Sequence, residues 1–197
     1  MSKVEIGKGR AKINDTMNGL EIVIPSKKSF FTIAFIPFWL VGWLFGEVTV
    51  IGTLFRALFV PSEESAGAPS LFMLVWLILW TVGGAFAIYT LLWNIKGKEI
   101  ISVNSGEISY KKDLFGFGKS REYTLAEIKN MRVIDKPSGP WGAQTSWNFW
   151  GFSGGTIGFD YGLKTYKIVN GIDEAEAKHI IDEISQRFQI SVKKEQV

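Results

Sequence analysis

"LFMLVWLILWTVGGAFAIYTLLWNIKGKE", residues 71–99, is an apolar run that stops abruptly at Lys96, Lys98 and Glu99. It carries no charge from Leu71 to Ile95. A helix of about 25 residues, rising about 1.5 Å per residue, outlasts the roughly 30 Å hydrocarbon core of a bilayer, so one tilted helix spans it. A helix apolar on every face can also be the core of a soluble protein, but only of a large one. A chain of 197 residues is too small to enclose it. The stretch predicts a transmembrane helix over 71–95.

A second run, "SFFTIAFIPFWLVGWLFGEVTVIGTLFRALFV", covers Ser29 to Val60. Its charge-free part, Phe30 to Gly46, lies near the lower limit of about 17 residues for a span. A polar segment precedes it and no small-residue cleavage site closes it, so it does not read as a cleaved signal peptide. Pro37 should kink this helix. The expected span covers about 30–50 and reaches the far surface near Glu47. Whether residues 47–60 finish the span or lie on the membrane stays open, with the interfacial arrangement favoured. Glu47 is expected to meet headgroups at a helix end, with a proton or ion role as the less favoured alternative. Gly42, Gly46, Gly83 and Gly84 are candidates for close helix packing within the hairpin.

Lys27 and Lys28 precede the first run and Lys96 and Lys98 follow the second, while the connecting "PSEESAGAPS" has neither lysine nor arginine. By the positive-inside rule both termini are expected in the cytoplasm, in a multi-pass protein of the inner cell membrane. A sequon at Asn14-Asp15-Thr16 would then be inert.

Composition excludes several classes. With no cysteine, there are no disulfides, thiolate metal sites or cysteine nucleophiles. A single histidine, His179, rules out a multi-histidine metal site, so no metal or cofactor is expected. A formal net charge of +3 without a basic stripe argues against nucleic acid.

Downstream the periodicity changes to alternation. "KEIISVNSGEISYKK" reads as two strands about Asn104-Ser105-Gly106, and "FGFGKSREYTL" as a turn and a third strand. Thr124 and Glu127 have capping-box spacing, so "TLAEIKN" is expected to hold one helical turn before the strand "MRVID". "GTIGFDYG" and "LKTYKIVNG" give two strands divided about Gly162. Asp173 and Glu176 cap a final helix whose stripe is Ala177, Ile180, Ile181, Ile184 and Phe188, leaving His179 on the solvated face. Before the membrane, "GRAKINDTMNGLEIVIP" offers two strands about an Asn18-Gly19 type I′ turn. Two strands alone are marginal in water, so they are expected to join the sheet formed after residue 98. The division is 1–28 for N-terminal strands, 29–95 for the hairpin and 96–197 for the main domain.

This order of elements resembles the pleckstrin-homology-like (PH-like) domains of small bacterial membrane proteins that carry a transmembrane hairpin. "GTIGFDYGLKTYKIVNGIDEAEAKHIIDEI" is similar to that family's final strand pair and helix, and the likeness extends from about Gly97 to Phe188, with "NGLEIVIP" added. Where the family has an aromatic-glycine pair after the penultimate strand, this chain has Ile168, Val169 and Asn170. The resemblance implies an α+β fold: a transmembrane hairpin inserted in a partly open antiparallel barrel, closed by a C-terminal helix. It also implies binding of lipids, peptides or proteins rather than catalysis.

"LFGFGKS", Leu114 to Ser120, mimics a phosphate loop, but Asp113 stands where its first glycine belongs and the stretch joins two strands. Two sets could bind. Lys111, Lys112, Lys119 and Arg121 flank the second turn and suit anionic lipid, or serve solubility alone. Trp141, Trp147, Phe149, Trp150 and Phe152 crowd the loop "KPSGPWGAQTSWNFWGFSGG" and are expected to contact membrane or partner. The expectation is a non-enzymatic scaffold or accessory subunit of a larger membrane assembly. Its partners are the lipid bilayer and a membrane protein, and homo-oligomerisation stays open. The alternative is an anionic-lipid-binding or sensing module. A third, enzymatic reading would rest on Glu47 or Asp160.

Overall fold

The structure is a computed structural model that describes residues 9–59, 71–134 and 155–190. It is an α+β chain of two compact units, residues 28–95 forming one and residues 1–27 with 96–197 the other. We call the second unit the head.

The head holds two antiparallel sheets. Strands β1 (Lys12–Thr16), β2 (Gly19–Pro25), β3 (Lys98–Asn104), β4 (Glu107–Asp113) and β5 (Ser120–Thr124) lie side by side in that order. Strands β6 (Ile128–Val133), β7 (Ile157–Tyr161) and β8 (Lys164–Ile168) form the second sheet. Alternation builds them: Leu20, Ile22 and Ile24 of β2 and Ile101 and Val103 of β3 are buried, while their neighbours reach the surface. β2 pairs with β3 along its full length, from Gly19↔Asn104 to Pro25↔Lys98, although some seventy residues separate them.

The two sheets are not closed into the expected barrel wall. A 3₁₀ turn, Leu125–Glu127, anchored by Leu125 N–H to Gly106 O at 2.9 Å, carries the chain out of the first sheet and into the second. The link between sheets is a packed aromatic group instead. Tyr123 of β5 meets Phe159 of β7 edge-on at 5.1 Å and Tyr166 of β8 at 5.0 Å. Thr124 makes no side-chain cap, so the capping box with Glu127 does not form.

Helix α3 (Glu174–Phe188) completes the core. Asp173 Oδ1 accepts from Glu176 N–H at 2.7 Å, and Ala177, Ile180, Ile181 and Ile184 are buried as their spacing requires. His179 is half-buried rather than solvated, and its Nε2 meets no hydrogen-bond partner among the described residues. The first turn is also displaced. Thr16 pairs with Gly19, so Met17 and Asn18 make the turn, neither with positive φ. Gly19 lies in the strand, where a Cβ would stand 1.9 Å from Val103 O.

The other unit holds α1 (Phe30–Phe59) and α2 (Leu71–Lys96), both long and apolar enough to cross a membrane. α1 runs unbroken past Glu47 to Phe59. After Glu47 "VTVIGTLFRALF" holds no helix breaker except one tolerated glycine, and Thr49 and Thr53 return their hydroxyls to the carbonyls four residues back. Ser29 caps α1 through its Oγ and Thr32 N–H at 3.3 Å, and Asn94 Oδ1 of α2 accepts Ser29 N–H at 3.2 Å.

Side chains in this unit are inverted relative to the head. Phe38, Phe45, Leu79 and Val82 are exposed, whereas Thr32, Glu47, Thr90 and Asn94 are buried. Water does not favour that pattern; an apolar solvent does.

Candidate functional site

The hairpin joining β4 and β5 concentrates the features of the head most suited to contact. Leu114 and Phe117 exchange both backbone hydrogen bonds, at 2.8 and 3.0 Å, around Phe115 at φ +55° and Gly116 at φ +89°. Two successive positive φ values define a type I′ turn, which suits Asn-Gly and places a bulky aromatic under strain. Phe115 and Phe117 are nevertheless displayed to solvent, 57% and 82% exposed.

The four predicted cations are divided by the pleat of the sheet. Lys111 is taken up internally, its Nζ 2.7 Å from Asp113 Oδ1 and 2.8 Å from Gly116 O. That bond, with Gly116 N–H and Lys98 assisting, holds the Asp113 carboxyl below the usual range. Lys112 pairs with Glu99 across β3 and β4, and its charge acts on that carboxylate. Lys119 and Arg121 are exposed beside the turn.

This turn lies at one particular end of the five-stranded sheet. Pro25 pairs with Lys98, Lys98 with Asp113, and Ser26 N–H donates to Gly97 O at 2.9 Å. The points where the chain leaves the head, after Lys27, and re-enters it, at Lys96, are therefore at the same end of the sheet as the β4–β5 turn. Lys27 and Lys96 are exposed there. The opposite end carries Asp15 of β1, paired with Arg187 near the end of α3, and Glu107 at the start of β4, with no lysine or arginine from 15 to 19 or 104 to 107.

A buried polar joint lies just inside the same end. Glu99, 4% exposed, accepts Asn170 N–H at 2.8 Å and also bonds Tyr110. Burial pushes the Glu99 carboxyl up, only partly offset by Asn170, Lys112 and Tyr110. Burial and the Glu99 charge likewise push the Tyr110 phenol up. Val169, a β-branched residue at φ +61°, makes the turn that aims Asn170 at Glu99. The Ile168-Val169-Asn170 departure noted in the sequence thus has a partner in Glu99.

On the second sheet Asp160 borders a cleft of about 580 Å³ lined by Lys129, Arg132, Leu163 and Lys164 among others. Thr165 Oγ1 at 2.7 Å, Asn130 Nδ2 at 3.0 Å and Arg132 at 3.1 Å all donate to the Asp160 carboxylate, holding it down at about 2. A carboxylate so fully engaged is a poor proton acceptor at neutral pH.

Within the helical unit the glycines differ. A Cβ on Gly84 would stand 2.1 Å from the Trp43 ring, and one on Gly46 3.7 Å from Trp80, but Gly42 and Gly83 face open space. Trp43 Nε1 donates to Trp80 O at 3.1 Å, tying the helices together. Glu47 is buried well inside α1, not at a helix end, and its Oε1 lies 2.6 Å from Thr81 Oγ1 of α2. Its Oε2 meets no partner among the described residues.

Trp141, Trp147, Phe149, Trp150 and Phe152 lie outside the described residues. Among the described residues no cluster of His, Asp and Glu is placed to hold a metal ion. Comparison with family models, with curated proteins and with solved structures returns no match for this chain.

Proposed function

We propose that the chain is a membrane-anchored, PH-like binding module, non-enzymatic, that serves as a scaffold or accessory subunit of a larger membrane assembly. Its helices occupy the inner membrane as a hairpin, with both termini cytoplasmic and the head working against the membrane surface. Two sheets, of five and three strands, closed by one C-terminal amphipathic helix support the PH-like reading. The observation that carries the proposal is the departure of the chain into two apolar helices and its return, both at one end of the five-stranded sheet. Such a head is held at the surface by two covalent links, which suits assembly better than turnover. Purification in mild detergent tests it. Stoichiometric membrane-protein partners are the expected result, and recovery of the chain alone counts against the scaffold role.

A second reading, binding of anionic lipid, is favoured by the exposure of Lys119 and Arg121. The full chain in anionic nanodiscs should protect the β4–β5 turn from hydrogen exchange more than in neutral ones. Equal protection rejects that reading.

A further inference from the structure

We infer that the β4–β5 turn is a bilayer-penetrating tip: Phe115 and Phe117 enter the headgroup layer, and Lys119 and Arg121 contact anionic headgroups beside them. This rests on the membrane-anchored reading, and the membrane concerned is the one that holds α1 and α2.

Four independent observations converge. The first is placement. Lys98 is two residues from the end of α2 at Lys96 and pairs with Asp113 at the base of the tip. Two residues of extended chain reach about 7 Å, and neighbouring strands are about 4.8 Å apart. The headgroup layer adds about 5–7 Å on each side of the hydrocarbon. The tip is therefore within covalent reach of the layer that α2 must leave.

The second is chemistry. Aromatic rings suit the interfacial depth, and both phenylalanines are exposed rather than packed on the core. The third is strain. Phe115 occupies a left-handed position that asparagine or glycine would fill more easily. Neither folding nor solubility gains from an exposed aromatic there, so the strain points to use. The fourth is polarity along the sheet. Exposed Lys27, Lys96, Lys119 and Arg121 gather at the tip's end, whereas at the other end Asp15 is paired with Arg187 and Glu107 adds a second carboxylate. An anionic surface selects the first end. Lys111 takes no part, because its ammonium is spent on Asp113 and Gly116.

The chain has no cysteine, so single cysteines report without background. Three full-length variants serve: Phe117→Cys at the tip, Met17→Cys at the far end and Val82→Cys on the outward face of α2. All three positions are exposed. Each is labelled with an environment-sensitive fluorophore and reconstituted into phosphatidylcholine vesicles, with or without phosphatidylglycerol, that carry a lipid-borne quencher. The hydrogen-exchange pattern of β3 checks that the head stays folded.

The expected result is strong quenching at positions 82 and 117, with the label at 117 quenched several-fold more than that at 17. Lys119→Glu with Arg121→Glu should reduce quenching at 117 in vesicles containing phosphatidylglycerol. Quenching at 82 with none at 117 overturns the tip and leaves the anchored reading standing. Absence of quenching at 82 overturns the anchored reading, and the tip falls with it. A label at 117 shielded in native membranes but unquenched by lipid assigns the tip to a protein partner, which also overturns the inference. No effect of the two charge reversals overturns the headgroup contact.

Discussion

In the head, Ile22, Ile101, Met131 and Phe159 are sealed from the surface, whereas the helical unit turns Phe38, Phe45, Leu79 and Val82 outward and buries Thr32, Glu47, Thr90 and Asn94. Both arrangements follow one rule, that a side chain seeks the medium it resembles: the surface of the head suits water and the outward face of the helices suits an apolar solvent. Backbone groups need no help in either case, since sheets and helices satisfy their own. What differs is the cost of an error. In the head an error leaves a cavity or a buried charge; on helices long and apolar enough to cross a bilayer it would present a charge to hydrocarbon.

The largest effects should come from placing one kind of error in each unit. Ile101→Ala, at a fully buried site, should destabilise the head by about 2–5 kcal/mol, read by denaturation in mild detergent. Val82→Asp, at an outward site, would be harmless on a water-facing helix. In a bilayer it should cost about 3 kcal/mol of insertion, seen as a reduced carbonate-resistant fraction. Unchanged membrane extraction of Val82→Asp would break the comparison.

Next come the glycines of the helical unit. Gly84→Ala forces a methyl into the Trp43 ring, and overpacking of this kind costs about 1–3 kcal/mol. Gly83→Ala meets open space and should leave the thermal midpoint in detergent unchanged. Equal sensitivity at the two neighbours would mean that the helices do not pack through Trp43. Smaller still is the polar link. Hydrogen bonds between membrane helices average about 0.6 kcal/mol and reach about 1.7, so Glu47→Gln should shift the same midpoint only slightly. Loss of the hairpin on this change would make the contact the main tie between α1 and α2.

Much of this was legible before the structure, and the reasons are local. Period-2 alternation marked β3 and β4 about Asn104-Ser105-Gly106, and a 3.6-residue stripe marked α3 with its Asp173 cap. Failures came where a partner distant in sequence decides. Gly19 read as a turn residue, yet its small size serves the close approach of Val103, contributed by a strand on the other side of the helices. Glu47 has the charge expected at a helix end, and only Thr81 on α2 shows why it can be buried mid-helix. Basic residues 111, 112, 119 and 121 formed one set in sequence, but the pleat and Asp113 divide them. The turn at "FGFG" was legible, but nothing in "LFGFGKS" marks Phe115 rather than a glycine as a residue at positive φ.

The head also has inverted spots of its own, and pH should expose the one at Glu99. Glu99 is buried and its carboxyl is raised by that burial, so the folded head favours its protonated form. The sign follows: its stabilising share is complete below the ordinary glutamate value of about 4.3 and is lost as pH rises through the higher folded value. Asp160 behaves oppositely. Thr165, Asn130 and Arg132 hold it down at about 2, so its share is present above about 4 and disappears as pH falls toward 2. Glu99→Gln keeps an acceptor for Asn170 N–H and removes the buried charge, so its unfolding midpoint should exceed that of the parent at pH 7 and match it near pH 4. Asp160→Asn should flatten only the acid limb below pH 4. Denaturation of the full chain in detergent between pH 2 and 8 separates the two. A parent chain that is more stable than Glu99→Gln at pH 7 would show that the bonds from Asn170 and Tyr110 outweigh the burial of the charge. The joint would then be a net tie between β3 and the turn before α3 rather than a tolerated cost.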